Sequence, residues 1–86
     1  MLKELDLTLP IVRLTFLGEN SGQSLISEIN KNFDITTKIL SASINELGDT
    51  ILGVLVIQLG GNLELIGKVE EFIVKSGVKV ERMEII

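Results

Sequence analysis

Few residues in this 86-residue chain could do chemistry, and their spacing works against most of it. The most suggestive run is Asn62-Leu63-Glu64-Leu65-Ile66-Gly67-Lys68. It follows an apolar stretch, opens a helical pattern and ends in Gly-Lys, as a phosphate-cradling loop does. That loop needs its first glycine where Asn62 stands, and a Ser or Thr for magnesium where Val69 stands. The apolar spacing Leu65, Ile66, Val69, Phe72, Ile73 also runs unbroken through Gly67-Lys68, which makes Lys68 a solvated helix lysine.

Carboxylates and hydroxyls fare no better. Glu70 and Glu71 are neighbours on a helix, where successive side chains diverge by about 100° and cannot share a substrate. Glu81 and Glu84 have no base or polar pocket signature around them. The serines at 21, 24, 27, 41, 43 and 76 lack an activator, because the chain has no histidine and no cysteine. The same absences remove thiolate and imidazole metal sites, disulfides and the commonest general base. No enzyme, no metal site and no cofactor is expected.

Charge narrows the partners. Eight basic residues are scattered among twelve acidic ones, for a net charge of −4. Binding to a nucleic acid backbone rests on clustered Lys and Arg that displace counterions, so no nucleic acid partner is expected. Charges interrupt every apolar run in Met1-Leu2-Lys3-Glu4-Leu5-Asp6, unlike a signal peptide. The longest uncharged apolar stretch lies within 50–62, too short to span a bilayer, so no direct membrane insertion is expected. These features describe a soluble, intracellular domain.

The elements that must position any site follow from periodicity. In Ile11-Val12-Arg13-Leu14-Thr15-Phe16-Leu17, apolar and polar residues alternate as in a half-buried strand, ended by Gly18. Asn20 and Gln23 have capping-box spacing, and Leu25, Ile26, Ile29 and Phe33 then recur at helical intervals. A second strand over 37–47 places Leu40, Ala42 and Ile44 on one face. Gly48-Asp49 forms a tight turn, and 52–59 returns as a strand apolar on both faces. Asn62 caps a second amphipathic helix closed by Lys75 and Gly77. Val78-Lys79-Val80-Glu81 opens a last strand whose phase slips at Arg82-Met83, predicting a bulge or the strand's end.

The order β-α-β-β-α-β is the ferredoxin-like α+β arrangement, a four-stranded antiparallel sheet with two helices on one face. Residues 1–10 read as a lead-in segment or linker remnant and 11–86 as the domain. With the helices on one face, Ile11, Leu17, Ile39, Val54 and Val56 project from the other, an apolar patch that predicts a partner. That partner is not RNA. The third strand, Leu52-Gly53-Val54-Leu55-Val56-Ile57-Gln58-Leu59, carries none of the aromatics that stack on bases in RNA-binding sheets of this topology. The polar turn from Gly18 to Gly22 feeds a helix N-terminus, where backbone amides can receive a carboxylate or simply form an ordinary cap.

Ile11 to Glu19, Ile39-Leu40-Ser41-Ala42, Gly53-Val54-Leu55-Val56 and Gly77-Val78-Lys79-Val80-Glu81 together resemble the NIL domain. That family is named for the Asn-Ile-Leu that opens its second strand. The resemblance covers residues 9–84. It implies the C-terminal, ACT-like regulatory domain of the ATP-binding subunit of bacterial methionine ABC importers. It further implies that two copies pair as a homodimer, bind L-methionine near their interface and inhibit the importer's ATPase when methionine is plentiful. The location implied is cytoplasmic, at the inner face of the cell membrane, with the ATPase domain as partner. Matched position by position, the naming motif falls on Lys38-Ile39-Leu40, with Lys38 in place of the Asn. Gly18, Lys38, Ile39, Leu40 and Ala42 are the candidate ligand-binding residues. The competing expectation is an oligomerisation module with the same fold and no small-molecule ligand.

Overall fold

A computed structural model describes residues 9–18 and 21–83, the side chains of residues 21–23 excepted. Six elements follow in chain order: β1 (Ile11–Leu17), α1 (Ser21–Asn32), β2 (Thr36–Leu47), β3 (Thr50–Gly60), α2 (Leu63–Lys75) and β4 (Lys79–Met83). The four strands form one antiparallel sheet in the order β2-β3-β1-β4. This is the ferredoxin-like α+β fold. Asn20 of the expected capping box lies outside the described residues.

Hydrophobic burial explains why the helices sit where they do. Val12 and Leu14 on β1 and Leu55, Ile57 and Leu59 on β3 point to one side of the sheet. They are buried against Leu25 and Ile29 of α1 and Ile66, Val69 and Ile73 of α2. The two helices close on each other through an edge-to-face contact between Phe33 and Phe72, with ring centroids 5.5 Å apart. Asn62 caps α2 by accepting the backbone N–H of Glu64 at 2.8 Å and of Leu65 at 3.4 Å. At the other end Gly77, at φ +88°, turns the chain into β4 through the left-handed region.

Three expectations change. The β2–β3 ladder slips by one residue between Ile39 and Ser41, which leaves Leu40 without a counterpart on β3. This bulge splits the run Leu40, Ala42, Ile44. Ala42 and Ile44 lie opposite Leu55 and Gly53, on the helix side, while Leu40 is the extra residue. Ile39, expected on the open face, pairs with Ile57 and therefore also lies on the helix side. The open-face apolar patch shrinks further because Ile11 is 5% exposed, and Val54 and Val56 are half-buried.

Of the two outcomes expected at Arg82-Met83, the strand's end is the one found: pairing with β1 runs regularly from Thr15↔Lys79 to Ile11↔Met83 without a bulge, and β4 ends at Met83. Arg82 lies opposite Val12, on the helix side, and its guanidinium donates twice to the Glu70 carboxylate of α2, at 2.8 Å each. One residue earlier, Glu81 lies across from Arg13 on the open side and accepts from both Nε and a terminal nitrogen of that arginine, at 3.1 and 2.8 Å. A polar residue thus replaces an apolar one because it ties α2 to the sheet's edge.

The donated hydrogen bonds from Arg13 hold the Glu81 carboxyl below the ordinary carboxylate range; desolvation opposes them, and the charges of Arg13 and Lys79 add to the lowering. A carboxylate depressed in the folded state stabilises the fold above its unfolded pKa and loses that contribution as pH falls through the folded value. Arg13→Gln should therefore move the Glu81 titration midpoint upward in a carboxyl-resolved NMR titration. An unchanged midpoint would show that the pair does not form in solution. In the core, Ile66→Ala should cost about 2–5 kcal/mol in urea unfolding, the range for emptying a fully buried aliphatic site.

Candidate ligand-binding regions at the two ends of the sheet

The five candidate residues fall in two places. Gly18 ends β1 at φ +96°, a conformation that favours glycine. Its N–H donates to the carbonyl of Ile51 at 2.9 Å, which locks the turn to the start of β3. Nothing stands within 4 Å of where a Cβ would sit, so glycine is needed here for its backbone angle and not for space. Lys38, Ile39, Leu40 and Ala42 all lie on β2, where Lys38 is level with Gln58. Gly18 follows Leu17, which is level with Leu52. Six residues of β3 separate those levels, roughly 20 Å at strand rise. Within one chain Gly18 and Lys38 cannot touch the same amino acid.

Beside the Gly18 turn is a cleft of about 250 Å³ between the start of α1 and the α2–β4 connection. Phe16, Leu25 and Val78 supply its apolar surface, and Ser24, Glu28 and Ser76 supply polar groups. Phe16 owes its position to Gly53. The two residues pair directly across β1 and β3, and a Cβ on Gly53 would overlap the Phe16 ring. No spacing along the chain marks Ser24, Glu28 and Ser76 as neighbours, since they come from helix and loop positions brought together only by folding.

The β2 region is built differently. No residue of β2 is buried, and only Thr37 is half-buried. Ile39 is 54% exposed and Ile44 73%, although both lie on the helix side by register. α1 reaches this edge only at the start of β2, where the Thr37 hydroxyl donates to the Asn30 side-chain oxygen at 3.2 Å. Lys38, on the open side with Gln58, stands beside the bulge at Leu40, so a charged head and an aliphatic surface adjoin within three residues. The Gly67-Lys68 pair lies inside α2, as expected for a solvated helix lysine. Among the described residues no group of three or more acidic, His or Cys side chains could hold a metal ion, and no helix is long and apolar enough to cross a membrane.

The family profile of the NIL domain matches residues 10–82. The chain is a NIL domain. Its relatives include the methionine import ATP-binding protein MetN 2 of Acinetobacter baylyi, 38% identical over 72 residues. That alignment covers 84% of this chain and 21% of the relative. MetN of Bacillus subtilis is 38% identical over 71 residues, covering 83% of this chain and 21% of its own. The chain thus spans about a fifth of the length of these relatives. The C-terminal domain of an ABC transporter ATP-binding protein from Enterococcus faecalis superposes with a TM-score of 0.75 at 30% identity. It covers 96% of this chain and 91% of that one. The ACT domain of a Chlorobium tepidum GTP pyrophosphokinase shares the fold, with a TM-score of 0.52 at 23% identity over 87% of this chain and 96% of that one.

The cleft makes a direct prediction. Gly53→Ala should push the Phe16 ring out of its place and cost about 1–3 kcal/mol as an overpacked site. Combining it with Phe16→Ala should recover part of that loss in chemical denaturation. A double variant no more stable than Gly53→Ala would show that the ring is not what the added methyl meets.

Proposed function

We propose that this NIL domain is an amino-acid-sensing regulatory domain that binds L-methionine beside β2, near the interface of two copies. In a methionine importer it would inhibit the ATPase when methionine is plentiful, acting at the cytoplasmic face of the membrane. The observation that carries this reading is the NIL family match over residues 10–82 together with the 38% identity to part of two methionine import ATP-binding proteins. The exposed Lys38-Ile39-Leu40 segment supports it, because a ligand and a second chain can both reach that edge.

The chemistry suits the ligand. A zwitterionic amino acid needs a cation for its carboxylate and an apolar surface for its side chain. Lys38 supplies the first and the neighbouring bulge residue Leu40 begins the second, which a flexible, polarisable thioether can follow; Ile39 and Ala42 lie on the other side of the sheet by register and join this site only if the ligand wraps the edge. Gly18, about 20 Å from Lys38 along the strands, belongs to this site only if the partner's turn completes it. Inhibition requires methionine to bind the resting arrangement of the transporter more tightly than the transporting one. A second reading, pairing without a ligand, is favoured by one observation: lysine stands at position 38 where the family's naming motif has asparagine.

Titration calorimetry of L-methionine into the purified domain, with D-methionine and L-leucine as controls, separates the two. The sensor reading expects stereospecific heat saturating near one methionine per chain, weakened at least tenfold by Lys38→Ala. No heat at millimolar L-methionine from a folded sample would leave pairing without a ligand as the function.

A further inference from the structure

We propose that the cleft between the start of α1 and the α2–β4 connection is a second binding site, selective for a small primary ammonium compound with a short apolar tail. It lies at the far end of the sheet from Lys38 and does not depend on the methionine reading. At about 250 Å³ it falls below the roughly 300–1,000 Å³ of pockets that take drug-sized ligands. Its occupant is therefore a molecule of few heavy atoms.

The walls select a cation. Among the described residues that line the cleft, Glu28 is the only charged one. Its carboxylate has no ion pair there: the arginines engage Glu81 and Glu70 instead. Ser76 adds a second acceptor. Its hydroxyl hydrogen is committed to the Phe72 carbonyl at 3.0 Å, which leaves the oxygen to accept. Ser76 also caps the C-terminus of α2, the end of a helix that favours positive charge. The ring of Phe16 brings an aromatic surface, whose quadrupole attracts cations as well. All four contributions have the same sign.

The form of the cation follows from what else is present. One carboxylate and the hydroxyls of Ser24 and Ser76 fall short of the roughly six to eight oxygens that a calcium ion takes, so a metal ion is poorly served. An ammonium needs only a few acceptors, and the remaining wall suits an apolar tail. Leu25 and Val78 belong to the buried core, and Phe16 packs against it in the space that Gly53 leaves by lacking a Cβ. This surface is set before a ligand arrives, so little ordering has to accompany binding. A carboxylate on the ligand would stand close to Glu28 and be repelled. The cleft thus favours an amine over an amino acid, the reverse of a site in which Lys38 meets a carboxylate.

Amide NMR of the domain titrated with 3-(methylthio)propylamine, which is methionine without its carboxylate, tests this. The signals of Ser24, Leu25, Ser76, Gly77 and Val78 should shift together and saturate. L-methionine should act on them at least tenfold more weakly. Glu28→Gln keeps a helix-favouring side chain at an exposed position and should weaken the amine at least tenfold, whereas Lys38→Ala should leave it unchanged. Ammonium chloride at equal concentration, a control for cations drawn by the net charge of −4, should not move these signals. Shifts in the wild-type domain that are absent, confined to 38–42 or reproduced by ammonium chloride would overturn the proposal, and none of these results needs a variant to fold. So would an affinity unchanged by Glu28→Gln. The two readings fail separately. Amine shifts at the cleft without calorimetric heat from L-methionine remove the methionine site alone, and methionine heat without amine shifts removes the cleft alone.

Discussion

Everything about this domain follows from how far two short helices can reach. Each has about three turns, and together they bury the helix side of β1 and β3. The sheet is wider than that cover. β2 is therefore held mainly by its backbone ladder to β3, with one hydrogen bond from Thr37 to Asn30 of α1 at its start and no buried side chain along twelve residues. A strand in that position gains no core burial of its own, and its ladder hydrogen bonds contribute only about 1 kcal/mol each net of solvation. An edge so lightly held is suited to exchange solvent for a ligand or another chain. The opposite edge is treated differently: Arg82 and Glu81 fasten β4 to α2 and to β1.

The bulge at Leu40 is the second constraint. It sits where the family's naming motif ends, and it changes which side of the sheet every later residue of β2 occupies. Lys38 faces the open side with Gln58, whereas Ala42 and Ile44 face the helices. Were Leu40 in regular alternation rather than bulged out, Lys38 would share a face with Ala42 and Ile44. A one-residue slip in a strand exchanges its two faces, so the bulge decides what can stand beside the lysine.

Much of the fold was legible in the sequence because its signals were local. Alternation in 11–17, helical spacing in 63–75, the Asn62 cap and the two-residue Gly48-Asp49 turn each specify an element through neighbours along the chain. The bulge was not legible, since Leu40, Ala42 and Ile44 read as one unbroken alternating face. Nor could periodicity show that Ile11 would be buried on the open side, or that Arg82 belongs to the helix side through Glu70, twelve residues earlier. Of the candidate site, the NIL resemblance indicated the β2 segment. That Gly18 lies at the far end of the sheet emerges only from strand register. The cleft beside Phe16 depends on residues from three separate parts of the chain, and no spacing rule links them.

The central claim is that a ligand and a second chain meet at the same strand. If so, their binding is thermodynamically linked: whatever factor methionine gains from pairing, pairing gains from methionine. Sedimentation equilibrium of the wild-type domain across a series of L-methionine concentrations measures that factor. The account predicts that the dimer dissociation constant falls at least fivefold as methionine saturates, and that D-methionine leaves it unchanged. A dissociation constant that does not move while calorimetry shows methionine bound would mean that ligand and partner occupy unrelated sites, and would contradict the account.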